Sequence, residues 1–457
     1  MFFSYKQRLY QPIDIAPLVV FRILFGMLLF AEAFGAMLTG WVQQVFIEPQ
    51  FTFSHIGFEW LQPLPGVGMY FYFSLLAVLG LFIAAGFYYR ISMLLYAVLW
   101  LGVYLMQKTS YNNHYYLLVL LNFIMVFMPA ERYFSFDARR KPEITSEVVP
   151  YWTSVVFVLQ IGVVYTFAAI AKLYPDWLQG ITTAHFFDYR SSVLPDWLIV
   201  DMPVLSGMLS GFSFIYDIPG INYFVAYTAI LFDLLIVPGL VWKKTRRFTF
   251  ILALVFHLFN SFTFGIGIFP YLALALCIFC FDPEKVRRLF MPRKVPVIKS
   301  EIYILLTRRH SWGMFAFACY FLWQVLLPLR HHLFDGEVLW NEAGHRLSWR
   351  MMLRSKSGKL TIVANLDGKE EYVKLNNYLT RKQQAKLKVQ PDFMWQFAQR
   401  LKNEYKKQGY KEISLNYDSF VRVNGKPSQR FVDKDVDLSK EEWNTFNSQR
   451  WILPYKD

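Results

Sequence analysis

The chain has 457 residues, of which 55% are hydrophobic and 19% aromatic, and its formal net charge at pH 7 is +14. This composition is too apolar for an ordinary soluble enzyme and indicates a polytopic membrane protein. The basic residues gather at the ends of apolar segments, so we attribute the charge to contact with anionic headgroups and expect no nucleic-acid partner.

Nine apolar segments are long enough, or nearly long enough, to cross a lipid bilayer. They lie at residues 17–39, 69–89, 91–107, 115–130, 151–171, 221–241, 248–264, 267–281 and 311–329. The seventh and eighth are short, and we expect them to form a tight, re-entrant-like pair around residues 265–267. The sequence therefore predicts a polytopic α-helical membrane protein with about nine spans.

The basic residues also predict how these spans are oriented. Clusters of Lys and Arg lie at residues 6–8, 90, 132–141, 243–247 and 285–294. With nine spans and a cytoplasmic N-terminus, all five fall on the cytoplasmic side, as the positive-inside rule requires. The connection 172–220 and everything after residue 330 then face the extracytoplasmic side.

The composition changes sharply after residue 329, beyond which no apolar run is long enough to span. We expect three regions: a transmembrane catalytic bundle at 1–295, a linker with the last transmembrane helix at 296–330, and a soluble β-rich extracytoplasmic domain at 331–457. Within the last region, local patterns predict strands at 359–364, 412–417 and 419–423, a hairpin tip at 424–426, and an amphipathic helix at 392–408. Asp392 suits the N-cap of that helix and Gly409 its C′ position.

Lys172 ends the fifth apolar segment and is the first candidate for chemistry. An amine at membrane depth costs roughly 2.5–3.5 kcal/mol at a helix centre, and less near an end. Burial favours the neutral amine, which is a base. Two alternatives stay open: the ammonium snorkels to the headgroups, or Asp176 neutralises it as an ion-pair partner.

Asn113 and His114 open the fourth segment, on the same predicted side of the membrane as Lys172. The functional interpretation is that His114 offers a hydrogen bond or a proton to an oxygen in a pocket at the outer leaflet. The alternative is a turn in which asparagine side chains satisfy free backbone amides.

His257 lies in the seventh segment, three positions before Asn260, so the two side chains share one helix face. Intramembrane histidines usually face a cavity or the bundle interior, whereas an interhelical hydrogen-bond pair is the structural alternative. His257 is expected to converge with Lys172 and His114. Asp233 is a further buried acid, for which we expect a structural role with Arg22 as its partner.

The remaining motifs predict neither a metal site nor nucleophilic catalysis. Cys277 and Cys280 have redox spacing but lie inside a span, where packing is the simpler interpretation. The chain has no glycine-rich phosphate loop, no H-E-x-x-H and no credible Ser-His-Asp order. We therefore expect no metal.

Several runs of residues, taken together, resemble the vitamin K-dependent gamma-glutamyl carboxylase family, within the horizontally transferred transmembrane domain superfamily. The runs are 111–114, the pattern A-K-L-x-x-D-W-x-x-G at 171–180, F-H-x-x-N-S at 256–261, G-I-F-x-Y at 267–271, S-W-x-M-M at 348–352, 418–430, 433–437, and the stretch from Trp443 to Trp451. The animal enzymes carry a longer tail and an extracytoplasmic disulfide, which this chain lacks. We expect a bacterial-type member, in an inner membrane with its soluble domain in the periplasm.

The resemblance implies a reaction and the roles of two residues. A base removes a proton from reduced vitamin K, and oxygen converts the quinone into a strong base. This base removes a proton from the γ carbon of a protein glutamate. The resulting carbanion adds CO2, and the quinone leaves as an epoxide. Lys172 matches the initiating base and His114 the residue that assists the glutamate step. Such chemistry needs a pocket that excludes water.

The resemblance also implies binding residues and partners. The polar positions expected to bind substrate or quinone are Asn113, His257, Asn260 and Tyr271. The implied partners are an exported polypeptide that contains glutamate and a lipid quinone from the bilayer, with O2 and CO2 as co-substrates. Two other functions stay open: a quinone-linked enzyme acting on a non-protein acceptor, and a non-enzymatic membrane binding or transport protein.

Overall fold

The computed structural model describes residues 8–185, 218–264, 267–291 and 311–456. The chain divides into two compact units, Met1–Tyr165 with Leu235–Leu326, and Thr166–Leu234 with Leu327–Asp457. The predicted connection 172–220, the linker 296–330 and the turn 265–267 lie partly outside the described residues.

Helices dominate the described residues before 330 because their sequences are long apolar runs with few interruptions. Their bounds are α1 Ala16–Leu38, α2 Gly68–Ala85, α3 Tyr89–Met106, α4 Asn113–Phe127, α5 Phe136–Arg140, α6 Trp152–Ala171, α7 Pro175–Leu178, α8 Ile221–Val241, α9 Arg246–Phe264, α10 Phe269–Leu276, α11 Pro283–Phe290 and α12 Ser311–Leu329. Each of the nine predicted segments coincides with one of these helices, and most boundaries agree within three residues.

Six helices in the described part of the chain are long and apolar enough to cross a membrane. They are Ala16–Leu38, Gly68–Ala85, Tyr89–Met106, Trp152–Ala171, Ile221–Val241 and Gly313–Leu333. Two further apolar helices, Asn113–Phe127 and Phe269–Cys280, are shorter. At 1.5 Å per residue the second of these is only about 18 Å long, less than the roughly 30 Å hydrocarbon core. The multi-pass architecture is therefore established, and nine crossings stay a prediction.

Helices α1 and α2 pack backbone against backbone through two glycines. A Cβ at Gly26 would lie 2.4 Å from the amide nitrogen of Ala84, and one at Gly80 would lie 2.7 Å from that of Phe30. Small residues at such a crossing let helices approach where no hydrophobic driving force acts between them.

Arg22 of α1 does not pair with Asp233, so that prediction is wrong. Its guanidinium is buried and donates to the carbonyl oxygens of Ala130, Tyr133 and Phe134 at 2.7, 3.3 and 2.6 Å. Backbone carbonyls at the end of a short helical turn carry partial negative charge, and three of them accept from the two terminal nitrogens of this guanidinium without a carboxylate.

Arg287 of α11 belongs to the basic cluster at 285–294, which the sequence predicts on the cytoplasmic side. Its side chain is fully buried, with its Nε 2.5 Å from Oδ2 of Asp14. Asp14 ends strand β1 (Pro12–Asp14), which pairs antiparallel with β2 (Val148–Pro150). This ion pair fixes the start of α1, since the other carboxylate oxygen of Asp14 accepts from the amide of Ala16 at 2.9 Å.

The C-terminal region contains a four-stranded antiparallel sheet with the order β4-β3-β5-β6. Its elements are α13 Val338–Asn341, β3 Lys356–Leu366, β4 Lys369–Tyr372, α14 Arg381–Leu387, α15 Pro391–Lys407, β5 Ile413–Val423 and β6 Gln429–Arg430. The two strands predicted at 412–417 and 419–423 are one continuous strand, β5. The hairpin tip is confirmed, with positive φ angles of 48° at Asn424 and 73° at Gly425.

Helix α15 covers the sheet with the apolar face that its spacing predicts. Phe393, Phe397 and Leu401 are fully buried. Asp392 is not the N-cap, because Gln390 holds that position and Pro391 is the first helical residue. Asp392 instead forms an ion pair with Arg346 at 2.7 Å.

Candidate functional site

Lys172 follows directly after α6, at a turn where the chain leaves the helix. Its amide donates to the carbonyl of Ala169 at 3.0 Å, and Pro175 then begins the short helix α7. Proline fixes this break because it favours the first turn of a new helix and cannot continue the old one. The lysine is thus held at the end of a span and not at its centre.

The side chain of Lys172 is buried and paired with Asp233 of α8. The Nζ and Oδ2 atoms are 2.5 Å apart, and the two side chains are 8% and 9% exposed. Nζ also donates to the carbonyl of Ala168 at 3.3 Å. Burying one charge alone costs several kcal/mol, so each group makes the burial of the other tolerable. Neither snorkelling nor neutralisation by Asp176 describes this lysine, and the partner of Asp233 is Lys172 instead of the expected Arg22.

Apolar residues enclose the pair. Trp177 of α7 lies over the side-chain nitrogen of Lys172, with Nζ 5.5 Å from the ring centroid, and its indole N–H donates to the carbonyl of Ala226 at 3.0 Å. The cluster of buried side chains here is Ala171, Trp177, Ala226, Ile230, Leu339 and Leu353. Leu339 and Leu353 come from the C-terminal region. Both the helices and the sheet domain therefore contribute to the apolar surroundings of Lys172.

Asp176 has different partners, which the hairpin tip supplies. One carboxylate oxygen accepts from Nδ2 of Asn424 at 2.9 Å, and the other lies 3.0 Å from Nζ of Lys426. Although Asp176 is close to Lys172 in sequence, the turn at Pro175 carries it to the β5–β6 tip. Tyr174 anchors the same turn by hydrogen bonds to the carbonyl of Leu353 and to Thr182.

The two candidate histidines meet on either side of one phenylalanine. The ring of His114 stacks on Phe269 with centroids 4.5 Å apart and planes inclined by 12°, while His257 contacts the same ring edge-on at 5.7 Å. Nε2 of His257 is hydrogen-bonded to the hydroxyl of Tyr165 at 2.6 Å. The nitrogens of His114 have no hydrogen-bond partner among the described residues. His114 therefore keeps its hydrogen-bonding capacity, whereas His257 uses part of its own within the bundle.

The turn interpretation of this region holds for its first asparagine only. Asn112 caps α4 by accepting from the amide of Tyr115 at 2.7 Å. The next residue, Asn113, is buried and accepts from the hydroxyl of Tyr111 at 3.1 Å. Asn112 therefore forms the turn, which leaves His114 available on the first turn of the helix.

Two further predicted binding residues, Asn260 and Tyr271, have few polar contacts in the described chain. Asn260 is half-buried one turn after His257 and makes no side-chain hydrogen bond within the described chain. Tyr271 is 46% exposed and accepts a hydrogen bond from Ser261 at 3.1 Å. Lys172 and Asp233 thus come together in one compact unit, and His114, His257 and Phe269 come together in the other.

Two family models cover nearly the whole chain. Residues 10–284 match the HTTM domain, and residues 309–457 match the lumenal domain of vitamin K-dependent gamma-carboxylase. The chain belongs to the vitamin K-dependent gamma-carboxylase family. No solved structure matches it significantly. The lumenal-domain match to the carboxylase begins before α12, so it covers the last apolar helix together with the sheet domain.

Two contacts in this carboxylase-family chain were not predicted from sequence. Tyr165, the partner of His257, is one tyrosine among many in an apolar helix, and no local pattern separates it from the others. Asp233 was recognised as a buried acid, but its pairing with Lys172 depends on which helices are neighbours. The available signal was physical: a buried cation and a buried anion in one bundle stabilise each other.

Proposed function

We propose that this chain is an integral-membrane enzyme that carboxylates glutamate residues of exported polypeptides, using reduced vitamin K, O2 and CO2. The observation that carries the proposal is the buried Lys172–Asp233 pair, enclosed by apolar side chains, in a chain whose C-terminal part matches the lumenal domain of the carboxylases. The match to the lumenal domain of the carboxylases favours carboxylation over other chemistry on the same helical bundle.

The described residues fit a reduced quinone. A hydroquinone needs a proton acceptor, an apolar surface and little water, and the surroundings of Lys172 supply all three. His114 adds a ring whose nitrogens have no partner in the described chain and whose plane is fixed by stacking on Phe269. Reduced vitamin K, when bound, supplies with oxygen the strong base that removes the γ-proton of glutamate.

Lys172 starts the reaction by accepting a hydroxyl proton at Nζ. Accepting this proton converts the amine into an ammonium, which is costly in an apolar site unless a counter-charge is present. The carboxylate of Asp233, 2.5 Å away, provides that charge without moving. Asp233 therefore stabilises the ammonium that forms on Lys172 when the neutral amine accepts the proton.

His114 supports the later step at the glutamate. Its stacked ring directs a nitrogen to a fixed position, from which its N–H donates to a carboxylate oxygen of the substrate. Asn113, His257, Asn260 and Tyr271 are the residues that bind substrate or quinone in this proposal.

We assign the reaction to the extracytoplasmic side of a bacterial inner membrane. The five basic clusters support this orientation. The proposed regions are the catalytic bundle 1–295, the linker and last span 296–330, and the soluble domain 331–457.

An assay with labelled bicarbonate tests the function. Purified protein is incubated with reduced vitamin K, oxygen, 14C-bicarbonate and a blocked peptide containing glutamate, and both fixed label and quinone epoxide are measured. Label in the peptide is expected. Epoxide without fixed label would point to a non-protein acceptor, and neither product from folded protein would point to a binding or transport function.

A further inference from the structure

A cavity of about 310 Å³ opens beside the turn that follows Lys172. Among its lining residues are Tyr174 and Asp176 of that turn, Glu337 and Trp340 around α13, Lys426 of the hairpin tip, and Tyr455. This volume lies at the small end for ligand pockets and suits one amino-acid side chain with its backbone, not a whole cofactor. We call it the Glu337 cavity.

The cavity adjoins the surroundings of the proposed base. Leu339 belongs both to its wall and to the apolar cluster that contains Ala171 and Trp177. Tyr174 is two residues after Lys172, so their Cα atoms are at most about 7 Å apart. A residue bound in the cavity would thus lie within two or three positions of a glutamate presented at Lys172.

The charges around the cavity exclude the acceptor glutamate itself. Two carboxylates and one ammonium line it, and the ammonium of Lys426 is already paired with Asp176 at 3.0 Å. Glu337 is exposed and its carboxylate has no ion-pair or hydrogen-bond partner among the described residues. The uncompensated charge is therefore negative, which repels an acidic side chain and attracts a basic one.

Aromatic side chains form an apolar wall of the cavity. Both rings already face a cation of the chain, with Nζ of Lys426 5.6 Å from the centroid of Tyr455 and Nζ of Lys356 6.0 Å from that of Trp340. The rings of Trp340 and Tyr455 are 5.1 Å apart at 59°, and the aliphatic and aromatic walls cover the stem of a long side chain. Lysine and arginine combine a charged tip with an apolar stem, and these walls suit such a stem. The carboxylate of Glu337 at the rim then meets the charge.

We propose that the Glu337 cavity binds a basic side chain two or three residues from the acceptor glutamate, so that Glu337 is a specificity residue for the polypeptide substrate. The proposal rests on the proposed function and names the sequence context of its substrate. It concerns peptide recognition and leaves hydroquinone oxidation unchanged.

Charge-swapped peptides test this assignment. Blocked peptides with one glutamate carry Lys, Gln or Asp two or three positions away, and their KM values are measured with purified full-length protein. The wild type is expected to show a KM about fivefold lower for the Lys than for the Asp peptide, the size expected for an exposed ion pair. Glu337→Gln should reduce that ratio to below about twofold, and Glu337→Lys should reverse it.

Glu371→Gln is the matched control, since Glu371 is an exposed acid on β4, away from the cavity. A wild-type enzyme without charge preference, or a preference that survives Glu337→Lys, would overturn the proposal. If no peptide is carboxylated at all, the proposed function fails instead. The charge preference is then measured by fluorescence anisotropy of the same peptides, where equal Kd values for Lys and Asp peptides also refute the assignment.

Discussion

At the scale of single residues, the lysine and the aspartate of the buried pair are energetically inseparable. Removing one partner leaves the other buried without its counter-charge, which costs about 3–5 kcal/mol, whereas replacing both is often neutral. A loss of activity in a single variant therefore has two explanations, lost chemistry and lost fold. Combined variants separate them.

Lys172→Met is expected to abolish epoxide formation and to lower the melting temperature. Lys172→Met with Asp233→Asn should recover most of the thermal stability, because no uncompensated carboxylate remains, while staying inactive. Epoxide yield and the melting temperature of the purified protein are measured for both. Hydroquinone oxidation by the stable double variant would remove Lys172 from the mechanism.

Asp233→Asn alone should lower hydroquinone oxidation by roughly a factor of 10², within the range for a proton-transfer step that loses its support. The reason is that the ammonium formed on Lys172 no longer has a counter-charge. Asp233→Glu serves as the control and should recover part of the rate. An Asp233→Asn rate equal to or above that of the wild type would mean that Asp233 only holds Lys172 in its protonated, inactive form.

His114→Phe preserves the stacked ring on Phe269 but removes both nitrogens. We expect epoxide formation to continue while fixed CO2 falls at least tenfold, since the ring nitrogen acts on glutamate and not on the hydroquinone. The ratio of epoxide to fixed label measures this uncoupling. Equal losses of both products would assign His114 to quinone binding instead.

At the scale of elements, the structure shows which patterns are sufficient for prediction. Helix α15 was predicted within about a residue because its apolar face repeats locally. Strand β5 was divided in two because Asp418 is unfavourable in a strand. That residue is 48% exposed and paired with Arg430 of β6, so a contact with the neighbouring strand stabilises it.

The candidate site likewise has residues that the local sequence predicts and a contact that it does not. Lys172 and His114 are recognisable from local sequence, since polar groups in apolar runs are rare. The partner of Lys172 is 61 positions away in sequence, and the nearby Asp176 was the simpler choice. Only the break at Pro175 and the packing of α8 decide between them, and neither is encoded in a short motif.

A buried ionic cluster joins α13 to the start of β3. Glu342 pairs with Arg354 and with Lys356, whose Nζ lies 3.0 Å from Oε1 and also donates to the carbonyl of Trp340 at 2.6 Å. Burial alone would raise the pKa of Glu342, but the two cations outweigh it and hold this pKa well below its usual value. Glu342 thus adds stability above its unfolded pKa of about 4.3, and that stability is lost as the pH falls toward the folded pKa.

Glu342→Gln should destabilise the protein by roughly 3 kcal/mol at pH 7, since two buried cations lose their partner. The difference from the wild type should narrow below about pH 4, where the carboxylate of the unfolded chain takes up a proton while that of the folded protein stays ionised. Melting temperatures of the full-length protein at about pH 7, 5 and 3 measure this, with Glu371→Gln as the exposed control. A difference that does not vary with pH would contradict the ionic role.

At the scale of the whole molecule, the number of crossings decides on which side of the membrane the chemistry takes place. Nine crossings place residues 143 and 244 inside and residue 371 outside. If only the six long apolar helices cross, residues 143 and 244 lie outside and residue 371 inside, because α4, α9 and α10 then do not cross the membrane. The basic clusters favour nine, since they then all face the cytoplasm.

Single cysteines distinguish these topologies in intact cells. In a variant whose three native cysteines are replaced by alanine, Glu143→Cys, Lys244→Cys, Gly267→Cys and Glu371→Cys are each treated with a membrane-impermeant maleimide. Position 371 should react from outside and positions 143 and 244 only after permeabilisation. Gly267 tolerates a side chain, because a Cβ there meets nothing within 4 Å. Labelling of position 267 from outside shows that α9 and α10 both cross the membrane. Protection of this position from both sides shows that α9 and α10 form a re-entrant pair. The chain then crosses seven times, and Lys172 stays on the extracytoplasmic side.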